Sequence, residues 1–405
     1  MSASIDPTLL DPARAARIRP AFEADIERGI LPGAVALIAR GGKLAYLEAM
    51  GWRDRENRVP MTVDSIFRIF SMTKPIVSCA VMMLVEEGRI RLINPVSTYL
   101  PELKNVQVGV EETDAAGKRV LKRVPAKRAI SVQDLLRHTS GITYGQFGDS
   151  LVKAEYRRVN LMDNNQSTAE FIAKLGELPL QYQPGEMWDY GMSTDVLGRL
   201  VEVVSGLTLD RFIAERITGP LGMRETGFSV PVSERARVAE AQVAPKTGAR
   251  PEMGRDVTVP QRFLSGGGGM VSTIGDYFRF AQMLANGGSL DGVRILSRKT
   301  VSLMASDHLP PSAAVSPTAR EQFEESAPLA EMGQGFGLGF CVRNVAGRNP
   351  VPGSPGEFYW SGVFGTYFWV DPAEKLVAIL MTAAPEVRRH YRALMRQLTY
   401  QALAD

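Results

Sequence analysis

Cysteine is nearly absent: Cys79 and Cys341 are the only two in 405 residues. That is too few for a disulfide framework or a multi-thiolate metal site, and both lie in apolar runs that read as reduced core. Histidine is as scarce. His138, His308 and His390 are far apart, and no His-Glu-x-x-His string occurs, so no metal centre is expected. Gly-x-Ser-x-Gly is missing too, which leaves a Ser-His-Asp site little to build on; His138, at a helix end, reads as a capping or packing residue. Charge of one sign is lacking, with a net of only +3, so nucleic acid is not an expected partner. No apolar run reaches the ~20 residues of a membrane span, and the start of the chain has no basic, then apolar, signal pattern. The expectation is a cytoplasmic protein. Nothing in the sequence fixes its oligomeric state.

The densest basic stretch is Lys118, Arg119, Lys122, Arg123, Lys127 and Arg128. Valines and a leucine interleave it around the turn Asp114-Ala115-Ala116-Gly117, so it reads as a solvated β-ribbon rather than a polyanion site.

At 45% hydrophobic content the chain can bury a substantial core. Residues 12–29 have helical spacing, and strand-like runs follow at 33–40 and 43–50. Strand chemistry returns at 335–343, 357–370 and 375–383, before a helical pattern at 386–403. Between these ends, patterns at 131–137, 168–178, 194–204 and 208–217 are helical. The fold class expected is α/β (α+β). A discontinuous sheet domain, 1–95 and 255–405, encloses a mainly helical domain, 96–254. No internal repeat or low-complexity linker interrupts it.

Three separated strings carry the chemistry. In Ser71-Met72-Thr73-Lys74 the serine falls where a strand-like run, 65–70, meets a helical run, 73–87. Serine and lysine three residues apart share a helix face, and the free amides of the first turn favour an oxyanion there. The second string is Tyr190-Gly191-Met192, between the turn-rich stretch 183–189 and a helix start near 193. The third is Trp360-Ser361-Gly362-Val363, inside a run of strong strand composition. Two copies compete. Ser150-Leu151-Val152-Lys153 repeats the first spacing without a leading strand, and Lys246-Thr247-Gly248 lies between prolines with no alternation; both read as coincidental.

Together with Asp134-Leu135-Leu136-Arg137-His138-Thr139-Ser140-Gly141, Pro220-Leu221-Gly222-Met223 and Ser265-Gly266-Gly267-Gly268-Gly269-Met270, these strings make the chain resemble the serine β-lactamase and penicillin-binding protein superfamily. It is most similar there to the class C β-lactamase-like family VIII carboxylesterases. The resemblance runs from about residue 15 to the end. It implies an antiparallel sheet flanked by helices, a helical partner domain, and a cleft between the two.

It also implies roles. Ser71 attacks the acyl carbon, while Lys74 and Tyr190 share a proton, taking it from the serine and returning it to the leaving alcohol. The amides of Ser71 and Val363 form the oxyanion hole. Tyr144, Met192, Trp360 and Gly362 line the substrate site. Trp360 stands where the lactamase pattern has lysine, and Met192 where it typically has asparagine. Losing the charge partner of a substrate carboxylate costs an anionic ligand on the order of 2–5 kcal/mol. Small, largely uncharged esters are therefore expected, without a cofactor. The alternatives are a β-lactamase or D-amino-acid peptidase, an acyltransferase to an alcohol, and a non-catalytic binding protein. Gly266 to Gly269 read either as a tight turn or as a wall permitting close backbone approach.

Overall fold

The computed structural model describes residues 5–242, 251, 255–323 and 326–404. Lys246-Thr247-Gly248 lies outside the described residues.

An eight-stranded sheet forms the body of the molecule. Three strands come from the N-terminal part, β1 (Gly33–Arg40), β2 (Lys43–Asp54) and β3 (Val59–Pro60). Five come from the C-terminal part, β4 (Gln334–Phe336), β5 (Cys341–Arg343), β6 (Phe358–Ser361), β7 (Tyr367–Asp371) and β8 (Leu376–Thr382). Their order is β4-β5-β6-β7-β8-β1-β2-β3, antiparallel throughout. The two chain ends are joined by β1 and β8, where Ala34 faces Thr382 and Ile38 faces Ala378. Both strands are buried almost end to end, which explains their continuous apolar runs in place of alternation.

Helices cover both faces. On one, α1 (Ile18–Glu27) lies with the C-terminal helix, here α5 (Arg388–Gln401), and the Phe22 and Tyr391 rings stack at 5.7 Å. On the other lies α4 (Ile274–Ala285), whose Tyr277 ring meets Phe368 of β7 at 5.1 Å. Successive β7 residues point to opposite sides. The neighbouring Trp369 accordingly stacks on Tyr400 of α5. Trp360 pairs with Phe368 across the ladder and so shares its face.

Two sequence expectations change in detail. The runs 335–343 and 357–370, read as single strands, each divide in two. The breaks fall at Gly339 (φ 103°) and in the turn ending at Gly365 (φ 110°), conformations open to glycine. The basic stretch is a ribbon, Gln107–Thr113 against Arg119–Pro125. Its cations are matched locally: Arg119 with Glu111, Lys122 with Glu112, and Arg123 with Glu155.

The remaining placement that matters is α2 (Thr73–Glu86), buried from Thr73 to Leu84. A helix apolar all round belongs in the core. It packs beside α3 (Ser193–Ser205). The strand Ile66–Arg68 leads into it, paired with Val271–Thr273. Cys79 and Cys341 are both buried and unbridged.

Candidate active site

Ser71 sits in a single 3-10 turn, Phe70–Met72, between the strand Ile66–Arg68 and α2. Side chains three apart nearly eclipse in such a turn, and Lys74 Nζ lies 3.3 Å from Ser71 Oγ. The elbow is held on both sides. Ile69 N donates to Met270 O, Met270 N donates to Thr73 Oγ1, and Tyr277 Oη donates to Met72 O. Phe70 is left-handed at φ 43°, which for a bulky residue costs of the order of 1–3 kcal/mol. Its ring packs on Phe364 at 4.3 Å.

That contact joins the elbow to the turn after β6. Gly362 lies so close that a Cβ there would be 2.4 Å from Ile69 O and 2.3 Å from Thr366 Oγ1. Val363 is thus bracketed between a residue touching Ile69 and one touching Phe70, the two residues that precede Ser71. Trp360, two residues earlier, is buried against Tyr190 at 5.5 Å and Phe336 at 5.4 Å between ring centres.

Lys74 is buried, and its amine has three oxygen partners: Ser71 Oγ at 3.3 Å, Tyr144 Oη at 3.1 Å and the Gly267 carbonyl at 2.7 Å. Tyr190 approaches differently. Its ring face lies under the amine, 4.6 Å from Nζ to the ring centre, and its buried hydroxyl, though outside normal hydrogen-bond geometry, still interacts with the amine and helps raise its pKa. Tyr144, expected at the cleft wall, therefore holds the hydrogen bond to Lys74, and the two phenol rings sit 5.6 Å apart. Burial disfavours charge on Lys74, but Tyr144, Tyr190 and Asp195 outweigh it and raise the pKa above the ordinary lysine value. Burial also raises Tyr144, which keeps that phenol protonated at neutral pH.

Tyr190 is set by the segment before it and by the Asp134–Gly141 motif. Asp134 caps the helix Val132–Leu136 in a capping box with Ser131 and takes Arg128, Arg137 and Thr139 on its carboxylate. The following residues then meet the segment around the tyrosine: Asp189 N donates to His138 O, and Gly191 is pressed on Ile142 O. The His138 ring packs against Tyr190, Trp188 and Phe336. Burial, with the Lys74 charge second, holds its pKa well below the ordinary value, so His138 packs here as a neutral ring. Met192 is buried at the start of α3 and lines a pocket of about 140 Å3 with Gly145, Gln146 and Arg157.

The second Ser-x-x-Lys is structural. Ser150 caps its helix through Lys153 N and donates to Gln181, while Lys153 Nζ bonds Thr318 Oγ1.

Sequence reasoning missed Asp195. Its Oδ1 accepts from Ser265 Oγ at 2.6 Å and from Gly267 N at 3.0 Å, and its other oxygen is buried without a partner. The glycine run is a wall of close approach: a Cβ on Gly266 would lie 2.5 Å from Thr194 O, and one on Gly267 2.4 Å from Asp195 Oδ2.

An antiparallel sheet between helix layers, with serine and lysine paired at the head of a buried helix, defines an active-site serine hydrolase fold. The chain belongs to the β-lactamase family, whose model matches residues 18–401. It is 37% identical to protein Rv1367c of Mycobacterium tuberculosis, over 91% of this chain and 96% of the relative. It is 31% identical to esterase EstB of Burkholderia gladioli, over 94% of each. Among solved structures, EstCE1, a hydrolase with promiscuous acyltransferase activity, superposes with a TM-score of 0.76 at 26% identity, over 96% of this chain and 98% of that one. The chain is a β-lactamase-family serine hydrolase with esterases among its relatives.

Proposed function

We propose that this protein is a carboxylesterase that hydrolyses small, largely uncharged esters through an acyl-enzyme on Ser71. The observation that carries the reading is the 3.3 Å contact between Ser71 Oγ and a buried lysine amine at the head of α2. The hydroxyl attacks the ester carbonyl, and its proton passes to the cluster of Lys74 and Tyr190, with Tyr144 joined to it through Lys74. The same cluster returns a proton to the alkoxide as the carbon–oxygen bond breaks. Water then attacks the acyl-enzyme, giving up a proton to the cluster, and Ser71 Oγ leaves with it. The amides of Ser71 and Val363 hold the oxyanion in both steps.

Substrate charge is argued from two buried residues. Where the lactamase pattern supplies an ammonium and an amide, this chain has Trp360, packed on Tyr190, and Met192, two residues after it, both buried. A substrate carboxylate would lose its partner there. EstB, 31% identical over nearly the whole chain, is described as an esterase, which supports the same class.

Paired turnover of a short-chain p-nitrophenyl ester and a chromogenic cephalosporin tests the reading. Ester turnover should dominate; dominant cephalosporin turnover would overturn it. Intact mass after exposure to a slow ester should show one acyl group, absent in Ser71→Ala. A second reading, acyl transfer to an alcohol, uses the same intermediate and is favoured by the likeness to EstCE1. Product partitioning with added alcohol measures its share.

A further inference from the structure

Lys74 has three partners with different freedoms. The hydroxyls of Ser71 and Tyr144 can donate or accept, but the Gly267 carbonyl can only accept. Whatever the protonation of the amine, one of its N–H bonds is committed to Gly267, at 2.7 Å. The remaining positions of the tetrahedral nitrogen then point toward Ser71 and Tyr144. The orientation of the Gly267 peptide decides where the lone pair can go.

The preceding peptide unit, across the Gly267 Cα, is held from the opposite side. Gly267 N donates to Asp195 Oδ1 while Gly267 O accepts from Lys74, so the two peptide units that meet at the Gly267 Cα are held one by each side chain. Ser265 Oγ donates to the same oxygen. Asp195 is only 2% exposed and stands in the first turn of α3, where a carboxylate is favoured by the helix amides. Two charged side chains, both buried, flank a single glycine with no room for a side chain. A buried lone carboxylate or ammonium would each be unfavourable; held close, each offsets the other.

Resting on the esterase reading above, we propose that Asp195 is a positioning residue: it anchors Gly267 through its N–H so that the glycine carbonyl aims Lys74 at Ser71, and its charge balances the lysine ammonium. The groups facing Lys74 come from every element around it. They are Ser71 at the head of α2, His138 and Tyr144 after the helix Val132–Leu136, Tyr190 before α3, and Asp195 within it. His138 is neutral and Tyr144 protonated, and Asp195 is the carboxylate of this set. Burial pushes the Asp195 carboxyl upward, and Lys74, Ser265 and Gly267 oppose that.

The sign of its effect is definite. A nearby anion makes every proton in the cluster harder to remove, so removing the anion lowers the pH at which the cluster can accept the Ser71 proton. The test is the rate of fluorophosphonate labelling against pH, read by intact mass, in the wild type, Asp195→Asn and Ser71→Ala. The acid limb of Asp195→Asn should move down by roughly one pH unit, with a lower plateau from the looser Gly267 peptide. A lower plateau with an unmoved limb overturns the proposal, since a purely structural role gives that result. Should Asp195→Asn fail to fold, Ser265→Ala takes its place. With one donor fewer the carboxylate takes up a proton more readily, so the limb should move in the same direction by less, and an unmoved limb again overturns the proposal. A wild type that takes no label at Ser71 removes the esterase reading and this proposal together; a wild type that labels while the limb stays removes this proposal alone.

Discussion

Lys74 Nζ lies 3.1 Å from the hydroxyl of Tyr144. The other phenol, Tyr190, offers the same amine its ring face at 4.6 Å. The shorter resting hydrogen bond and the sequence motif thus fall on different tyrosines, and their removal should be felt differently.

Tyr190→Phe keeps the ring under Lys74 and deletes only the hydroxyl. If that hydroxyl carries the proton to the leaving alcohol, kcat for a p-nitrophenyl ester should fall by roughly 10²–10⁴. Tyr144→Phe deletes a bond at rest but leaves Lys74 its contacts to Ser71 and Gly267, so a smaller fall is expected. Steady-state kinetics of both variants decide it. A larger loss in Tyr144→Phe would move the proton-carrying role to residue 144.

These contacts show what sequence can and cannot convey. Ser71 and Lys74 are three residues apart, so local helix geometry alone brings them together. Tyr190 and Trp360 were legible through short strings in characteristic settings. Tyr144 was legible as an aromatic residue near the site, but its bond to Lys74 depends on a rotamer set by Phe147 and Tyr190, rings it meets only in the fold. Asp195 was hidden because its meaning lies in Gly267, 72 residues away. The split strands were marked in advance by Gly339 and Gly365, glycines inside apolar runs that carry positive φ.

Asp134 shows a separate dependence, on stability. Burial works against its charge, but Arg128, Ser131 and Arg137 hold the carboxyl down to about 2, against an ordinary 3.8. A carboxylate depressed in the folded state stabilises fully above its unfolded pKa, and the benefit is lost as pH falls from about 4 toward 2. Asp134→Asn should therefore cost roughly 2 kcal/mol at pH 7. Urea unfolding at pH 7 and pH 3 measures this, and the gap between wild type and variant should narrow at the lower pH.

Gly362→Ala probes the turn that carries Val363. The added methyl would meet Ile69 O and Thr366 Oγ1 at 2.4 and 2.3 Å, both on the nucleophile elbow or its clamp. The turn must move away from Ser71, and loss of one oxyanion donor costs about 10²–10³ in kcat. Ester kcat should drop on that scale while the far-UV dichroism is kept. Wild-type kcat in a folded variant would remove Val363 from the hole.

His138 gives the discriminating pH experiment. A serine hydrolase that used this imidazole as base would lose activity as the ring protonates, near the ordinary pKa of ~6.5. Here burial and the Lys74 charge push His138 well below that value, so the ring stays neutral across the working range and cannot produce a limb there. The residue also sits at φ 57°, a conformation asparagine tolerates. His138→Asn should therefore lower the plateau of kcat/KM by loosening the packing around Tyr190, without moving the acid limb, because the imidazole takes no part in the proton transfer there. A limb that vanished with the imidazole would transfer the base from the lysine cluster to residue 138, and the 3.3 Å Ser71–Lys74 contact would then need another purpose.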